Sequence, residues 1–218
     1  MRACYIVGAG DFFPERFQPA DGDYIIAADA GYRHLQKIGV EPDLIIGDFD
    51  SLGSAPEHPN VVVCPVRKDD TDTLVAVRHA LEMGFSRLML FGGTGGRLDH
   101  TLANVQTLGF AAVRGAEAFL FGDEFTLTAL TFGQLEFSGY SGGFSVFSLG
   151  DRARGVWETG VRFPLAEAEL TCDFPLGVSN AFEGGKTVIS VREGILVVFW
   201  DGNREKPLPQ RKKGIKKC

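Results

Sequence analysis

Hydrophobic positions fall into two textures along the 218-residue chain. In the first half, six short runs are apolar nearly throughout and end in Gly, Asp or Pro: 4–9, 24–29, 44–47, 61–65, 87–92 and 118–122. Continuous rather than alternating apolarity marks strands covered on both faces, as in parallel sheets. Helical patterns lie between them. Residues 30–38 offer Leu35 and Ile38 after a turn at Asp29, and 70–83 carry Leu74, Val77 and Leu81 on one stripe. Residues 98–112 carry Leu98, Leu102, Val105 and Leu108 on another. Thr71 or Asp70 is placed to cap the 70–83 helix. This alternation predicts an open α/β sheet.

After about residue 124 apolar residues alternate with Thr, Ser and Gly, as in FTLTALTFGQLEFSGYSGGFSVFSLG (125–150), and no helical stripe recurs. Short strands separated by Gly-containing turns predict an all-β second domain. The expected organisation is an α/β domain over 1–124, an all-β domain over 125–207 and a basic, disordered tail over 208–218.

Composition narrows this only slightly. A hydrophobic fraction of 44% and a charged fraction of 23% suit a globular protein with a normal core. The net charge of −6 argues against nucleic acid as a partner, and only the terminal RKKGIKKC is basic. The four cysteines show no C-x-x-C spacing, so neither a metal knuckle nor a disulfide framework is suggested. No apolar stretch approaches the roughly 18 residues of a membrane span. The expectation is a soluble cytoplasmic protein that engages no membrane.

Candidate chemistry gathers at the predicted strand ends, where open α/β sheets bind ligands. The run at 24–29 ends in Asp29, and that at 44–47 runs into Asp48-Phe49-Asp50. On an extended segment Asp48 and Asp50 point the same way, with Phe49 turned aside as a packing residue. Two close carboxylates repel unless a cation separates them, and Mg²⁺ binds hard oxygens through one or two carboxylates plus substrate phosphates. Caps and turns also use such acids. The segment KDDTDT (68–73) opens a helix; Asp69 and Asp70 suit the dipole there, Asp72 is placed to face the sheet edge, and Lys68 to reach a phosphate. In FGGTGGRLDH (91–100), Gly93, Gly95 and Gly96 let backbone approach an anion at a helix N-terminus, and Arg97 offers a bidentate fork. The glycine spacing is neither a P-loop nor a dinucleotide fingerprint. The earlier Gly8-Ala9-Gly10 is expected only to turn the chain. Acids, a glycine-rich loop and an Arg together point to phosphoryl chemistry on a nucleotide.

The blocks AADAGYRHL (27–35), PDLIIGDFDSL (42–52), KDDTDT (68–73), GGTGGRLDHTLANV (92–105), TGVRFPL (159–165) and GVSNAF (177–182) resemble the thiamine pyrophosphokinase family. The resemblance implies an α/β catalytic domain that binds ATP and Mg²⁺, and a β-sandwich-like domain for thiamine binding and dimerisation. It implies a homodimer with active sites between subunits, and transfer of a diphosphoryl group from ATP to the thiamine hydroxyl with release of AMP. By position, Asp29, Asp48, Asp50 and Asp72 correspond to metal and phosphate-site acids, and Arg97 to the phosphate clamp. Asp99 and Asn104 fall near the acceptor, Ser179 and Asn180 correspond to thiamine contacts, and Phe182 is a candidate stacking face. Asp72 or Asp99 is the candidate proton acceptor. Where the family often has Gly-Gly after the first Asp, this chain has Ala30-Gly31. The alternatives are diphosphotransfer to another small alcohol such as a pterin carbinol, a Mg²⁺-dependent phosphohydrolase, and a non-catalytic sensor.

Overall fold

The computed structural model describes residues 2–49, 56–65 and 70–214. The chain divides into two compact units, one of Met1–Ala111 with Gly115–Asp123 and one of Ala112–Arg114 with Glu124–Cys218.

The first unit contains β1 (Cys4–Val7), β2 (Tyr24–Ala28), α1 (Gly31–Lys37), β3 (Leu44–Gly47), β4 (Val61–Val63), α2 (Asp72–Glu82), β5 (Arg87–Phe91), α3 (Leu98–Val113) and β6 (Glu117–Phe121). Its sheet runs β6-β5-β1-β2-β3-β4, every adjacent pair parallel. The apolar runs become buried strands because the crossover helices cover the sheet, and Ile6, Ile26, Ile45, Leu88 and Leu90 are fully buried. Edge strand β4 departs from that pattern, since Val62 and Val63 are exposed. Thr71 is the residue that caps α2, its Oγ1 accepting the Leu74 N–H at 3.2 Å.

The stripe expected on α3 is only partly covered. Leu98 and Leu102 are 72% and 60% exposed, whereas Asn104, Thr107, Leu108, Ala111 and Ala112 are buried. Small side chains and two satisfied polar ones fill the inner face. Asn104 Nδ2 donates to the Gly93 carbonyl at 2.8 Å, and Thr107 Oγ1 donates to the Ala103 carbonyl at 3.0 Å.

The second unit is antiparallel throughout. It contains β7 (Phe125–Leu130), β8 (Gly133–Ser138), β9 (Gly143–Ser148), β10 (Arg152–Thr159), β11 (Leu165–Thr171), β12 (Asn180–Ala181), β13 (Lys186–Val191), β14 (Leu196–Asp201) and β15 (Gln210–Lys213). These form one layer ordered β12-β9-β14-β7 and another ordered β11-β10-β13-β8-β15. Aromatic side chains from both layers meet between them: Phe137 of β8 lies 5.4 Å from Trp200 of β14, and Phe182 lies 5.1 Å from Phe137 and 4.8 Å from Phe144, centroid to centroid. The basic tail expected to be disordered from 208 instead supplies a strand. Residues Gln210–Lys213 pair with β8, and Lys212 Nζ reaches Glu136 Oε1 at 2.8 Å. A carboxylate and open ladder positions on β8 order what composition alone reads as solvated charge.

Candidate active site

A cleft of about 610 Å³ opens beyond the carboxyl ends of β1, β2, β3 and β5. Each strand delivers part of its wall. Ala9 and Gly10 follow β1, Asp29 ends β2, and Asp48 follows β3. Asp70, Thr71, Asp72 and Thr73 come from the start of α2; Gly92, Gly93, Gly95, Gly96 and Arg97 follow β5, and His100 and Asn104 come from α3. The structure thus brings together eight of the anticipated residues: Asp29, Asp48, Asp72, Gly93, Gly95, Gly96, Arg97 and Asn104. Asp50 and Lys68 lie outside the described residues.

The backbone here is tightly folded. Asp29 sits at φ +48, its N–H bonded to the Ile46 carbonyl at 2.8 Å, which ties the end of β2 to β3. Phe49 is 3% exposed at φ +59. It is a packing residue, as expected, and its backbone is left-handed rather than extended. The segment Gly8–Gly10 does more than turn the chain. Gly8 N–H donates to Phe91 O at 2.8 Å, Gly10 N–H to Gly92 O at 2.7 Å, and Asp11 N–H to Thr94 O at 2.7 Å. The first βα loop is stitched to the glycine-rich loop, and both wall the cleft. A Cβ on Gly92, at φ +61, would lie 2.1 Å from the Gly8 carbonyl oxygen. The sequence signal for this was Gly8 and Gly10 themselves, directly after a strand.

Among the described residues, Arg97 is the arginine or lysine that lines the cleft, together with Asp29, Asp48, Asp70 and Asp72. Asp70 already accepts a bond from Arg78. Arg97 is bound to Asp99, Nε to Oδ1 at 3.2 Å and Nη2 to Oδ2 at 2.5 Å. The Arg97 hydrogen bond holds the Asp99 carboxyl below the ordinary range, assisted by the His100 N–H. Asp99 itself is exposed beside the cleft and does not line it.

Among the described residues, no three His, Cys, Asp or Glu side chains gather closely enough to hold a metal ion alone. The donors at the cleft are hard carboxylate oxygens beside an anion-accepting glycine loop. That set suits Mg²⁺ shared between one or two carboxylates and substrate phosphates, not a closed protein cage.

Three of the anticipated acceptor contacts, Ser179, Asn180 and Phe182, lie in the second unit, and two of these are turned inward. Asn180 Nδ2 donates to Glu158 Oε2 at 2.7 Å and to the Phe163 carbonyl at 2.8 Å, while Oδ1 accepts the N–H groups of Phe163 at 3.0 Å and Ala181 at 2.8 Å. Phe182 is buried in the aromatic core, so it is a core side chain and not an open stacking face. Ser179 is exposed at φ +63, with its N–H bonded to Ser145 Oγ at 3.1 Å.

Comparison with known proteins follows the same division. Residues 20–120 match the model of the thiamin pyrophosphokinase catalytic domain, and 135–196 that of the thiamin pyrophosphokinase vitamin B1 binding domain. The chain is 27% identical over 182 residues to thiamine pyrophosphokinase of Bacillus subtilis strain 168, covering 80% of this chain and 85% of that protein. The crystal structure of thiamine pyrophosphokinase from Bacillus subtilis superposes with a TM-score of 0.81 at 24% identity, covering 93% of this chain and all of that one, a likeness of fold. The thiamin pyrophosphokinase from Geobacillus thermodenitrificans superposes with a TM-score of 0.78 at 27% identity, covering 92% and 98% of the two chains.

Proposed function

The chain belongs to the thiamine pyrophosphokinase family, and on that premise we propose how its cleft carries out the reaction. It is an ATP-dependent diphosphotransferase that converts thiamine to thiamine diphosphate and releases AMP. The observation that carries the mechanism is the convergence of Asp29, Asp48, Asp72, the glycine-rich loop and Arg97 on one cleft.

The polyphosphate lies along Gly93–Gly96, where backbone can approach and the N-terminus of the 16-residue helix α3 favours negative charge. Arg97 exchanges its Asp99 partner for phosphate oxygens, a fork that matches either anion. One or two of Asp29, Asp48 and Asp72 would hold Mg²⁺ together with substrate phosphates, with Asp50 as a further candidate ligand. When bound, Mg²⁺ supplies charge neutralisation across the phosphates. The thiamine hydroxyl oxygen attacks the β-phosphorus, the bond from that phosphorus to the AMP oxygen breaks, and the hydroxyl proton passes to a carboxylate. Asp72 suits that role better than Asp99, because Asp72 lines the cleft and Asp99 does not.

The β unit binds thiamine, and the active unit is a homodimer with sites at the subunit interface. Leu98 and Leu102, exposed on the helix that begins at the cleft, support a covered surface there. The setting is cytoplasmic. Cys4, Cys64 and Cys172 are free, and no described helix is long and apolar enough to cross a membrane. The test is chromatographic: purified protein with ATP, Mg²⁺ and thiamine should yield AMP and thiamine diphosphate in equal amounts. ADP in place of AMP would refute the reading.

A further inference from the structure

Strand β10 carries a buried acid that the transfer step does not use. Glu158 is 1% exposed. The register of β10 against β11 shifts between Arg154 and Val156 and again between Val156 and Glu158. Such bulges re-aim the side chains beyond them. Here the bulge turns a carboxyl inward, while Arg152 and Arg154 on the same strand make surface ion pairs with Glu169. Glu158 Oε2 accepts from Asn180 Nδ2 at 2.7 Å, and Oε1 has no hydrogen-bond partner among the described residues.

Asn180 connects that acid to two surface segments. Its remaining bonds hold the Phe163 N–H and carbonyl and the Ala181 N–H, which fills both ends of the amide. Arg162 N–H adds a bond to the Ala181 carbonyl at 3.1 Å, and Thr187 Oγ1 holds the Gly160 carbonyl at 2.8 Å. Residues 159–163 and 179–182 therefore form one body resting on Glu158. To solvent this body presents Phe163, 62% exposed, and Ser179, fixed in a left-handed conformation that a non-glycine residue holds only under constraint.

We propose that Glu158 is a positioning residue for acceptor binding: as a neutral acid it holds Asn180, and through Asn180 the two segments, in the geometry that receives thiamine. Ionising the buried carboxyl draws it toward water and releases them. The inference rests on the reading that this unit takes the acceptor.

An ionised Glu158 would lack compensation. Charges on the surrounding strands are engaged elsewhere: Lys186 of β13 with Glu136 of β8, Glu167 of β11 with Arg192, and Glu169 of β11 with Arg152 and Arg154. Arg162 is exposed, Asp201 of β14 accepts the Gly143 N–H, and burial pushes Tyr140 up to about 12, so it stays neutral. β9 and β12 carry no charged residue. Burial accordingly pushes the Glu158 carboxyl up to about 7, against the smaller lowering effect of the Asn180 bond.

Glu158→Gln keeps the shape and the Asn180 bond and removes the ionisation. Initial rates are measured for both proteins from pH 6 to 8 with thiamine and ATP varied separately. Wild-type KM for thiamine should rise about tenfold across that range, following the protonated fraction, while the Gln variant lacks this rise. KM for ATP and kcat should show the same pH dependence in both proteins. Ionisations of the substrates are common to both and cancel. Identical thiamine profiles, with both proteins active, overturn the proposal alone. Failure of both to turn over thiamine overturns the acceptor reading and the proposal with it.

Thermal unfolding provides a second measurement that does not depend on turnover. A raised folded pKa gives stability that is present below the unfolded value near 4.3 and lost as pH rises through about 7. Wild-type Tm should fall relative to the Gln variant between those values and run parallel above. Parallel Tm curves throughout would show that Glu158 holds no such proton and would overturn the proposal.

Discussion

Arg97 and Asp99, two residues apart, share two hydrogen bonds at 3.2 Å and 2.5 Å on the edge of the phosphate cleft. The arginine that should clamp phosphate therefore has a carboxylate partner before substrate arrives. In the proposed mechanism ATP displaces that carboxylate. The cost is small, because both side chains are exposed and solvent screens the pair. Asp99→Asn should thus tighten binding of a non-hydrolysable ATP analogue, but by no more than about fivefold. Arg97→Ala should lower kcat/KM by about 10² or more, since the clamp acts on developing charge. Calorimetric titration of both variants checks the first expectation, and steady-state kinetics the second. Weaker binding in Asp99→Asn would contradict the displacement.

The residues after Asp29 separate a permitted change from a forbidden one. Ala30 has φ −63 and ψ −7, ordinary right-handed geometry, so its methyl group is tolerated. Gly31 has no such freedom: a Cβ there would lie 1.9 Å from the Val7 carbonyl oxygen. Ala30→Gly should cost no more than about 1 kcal/mol. Gly31→Ala should cost at least about 2 kcal/mol, because backbone must move to admit the methyl group. Urea unfolding of the two variants tests the contrast, and equal stabilities would refute it.

Phe182 makes a prediction of the opposite kind. It packs against Phe137, Tyr140 and Phe144, and its stacking on thiamine is not needed. Phe182→Leu should lower Tm, at a cost of about 1–3 kcal/mol, while KM for thiamine stays within about twofold. Parallel melting curves and kinetics decide the point. An unchanged Tm with a large rise in KM would restore Phe182 to the substrate site.

Glu136 bridges Lys186 and Lys212 and thereby fastens β15 to β8. The hydrogen bond from Lys212 is the main cause that holds its carboxyl below the ordinary range, aided by Lys186. A depressed folded pKa gives stability present above the unfolded value and lost as pH falls through the folded one. Acidification below about pH 4 should therefore loosen β15. Glu136→Gln should do so at neutral pH. Faster amide exchange across Gln210–Lys213 in the variant is the expected signal, and unchanged exchange would show that the ladder alone holds the strand.

The strands of the first unit and much of the cleft could be read from the sequence because burial on two faces leaves unbroken apolar runs, and because ligand chemistry collects at strand ends. What misled was a pattern whose burial depends on something other than local periodicity. Leu98 and Leu102 define an apolar stripe, yet the face that packs inward holds Asn104, satisfied by Gly93. Periodicity shows which face is apolar, not which face this chain covers. Asn180 looks like a substrate contact in a short motif, and only the structure shows its amide filled by Glu158, Phe163 and Ala181. The inward turn of Glu158 depends on a bulge, and the order of β15 on a distant carboxylate. Neither leaves a local trace.

The central claim is the transfer of an intact diphosphoryl group to thiamine at the Asp-lined cleft. Its most direct test uses ATP labelled with ³²P at the β-phosphorus. With wild-type protein, Mg²⁺ and thiamine, the label should appear in thiamine diphosphate and AMP should remain unlabelled, and Asp48→Asn should slow that transfer by about 10² or more with its Tm preserved. Label recovered in ADP or free pyrophosphate without labelled thiamine diphosphate, or full transfer by the Asp48 variant, would contradict the account.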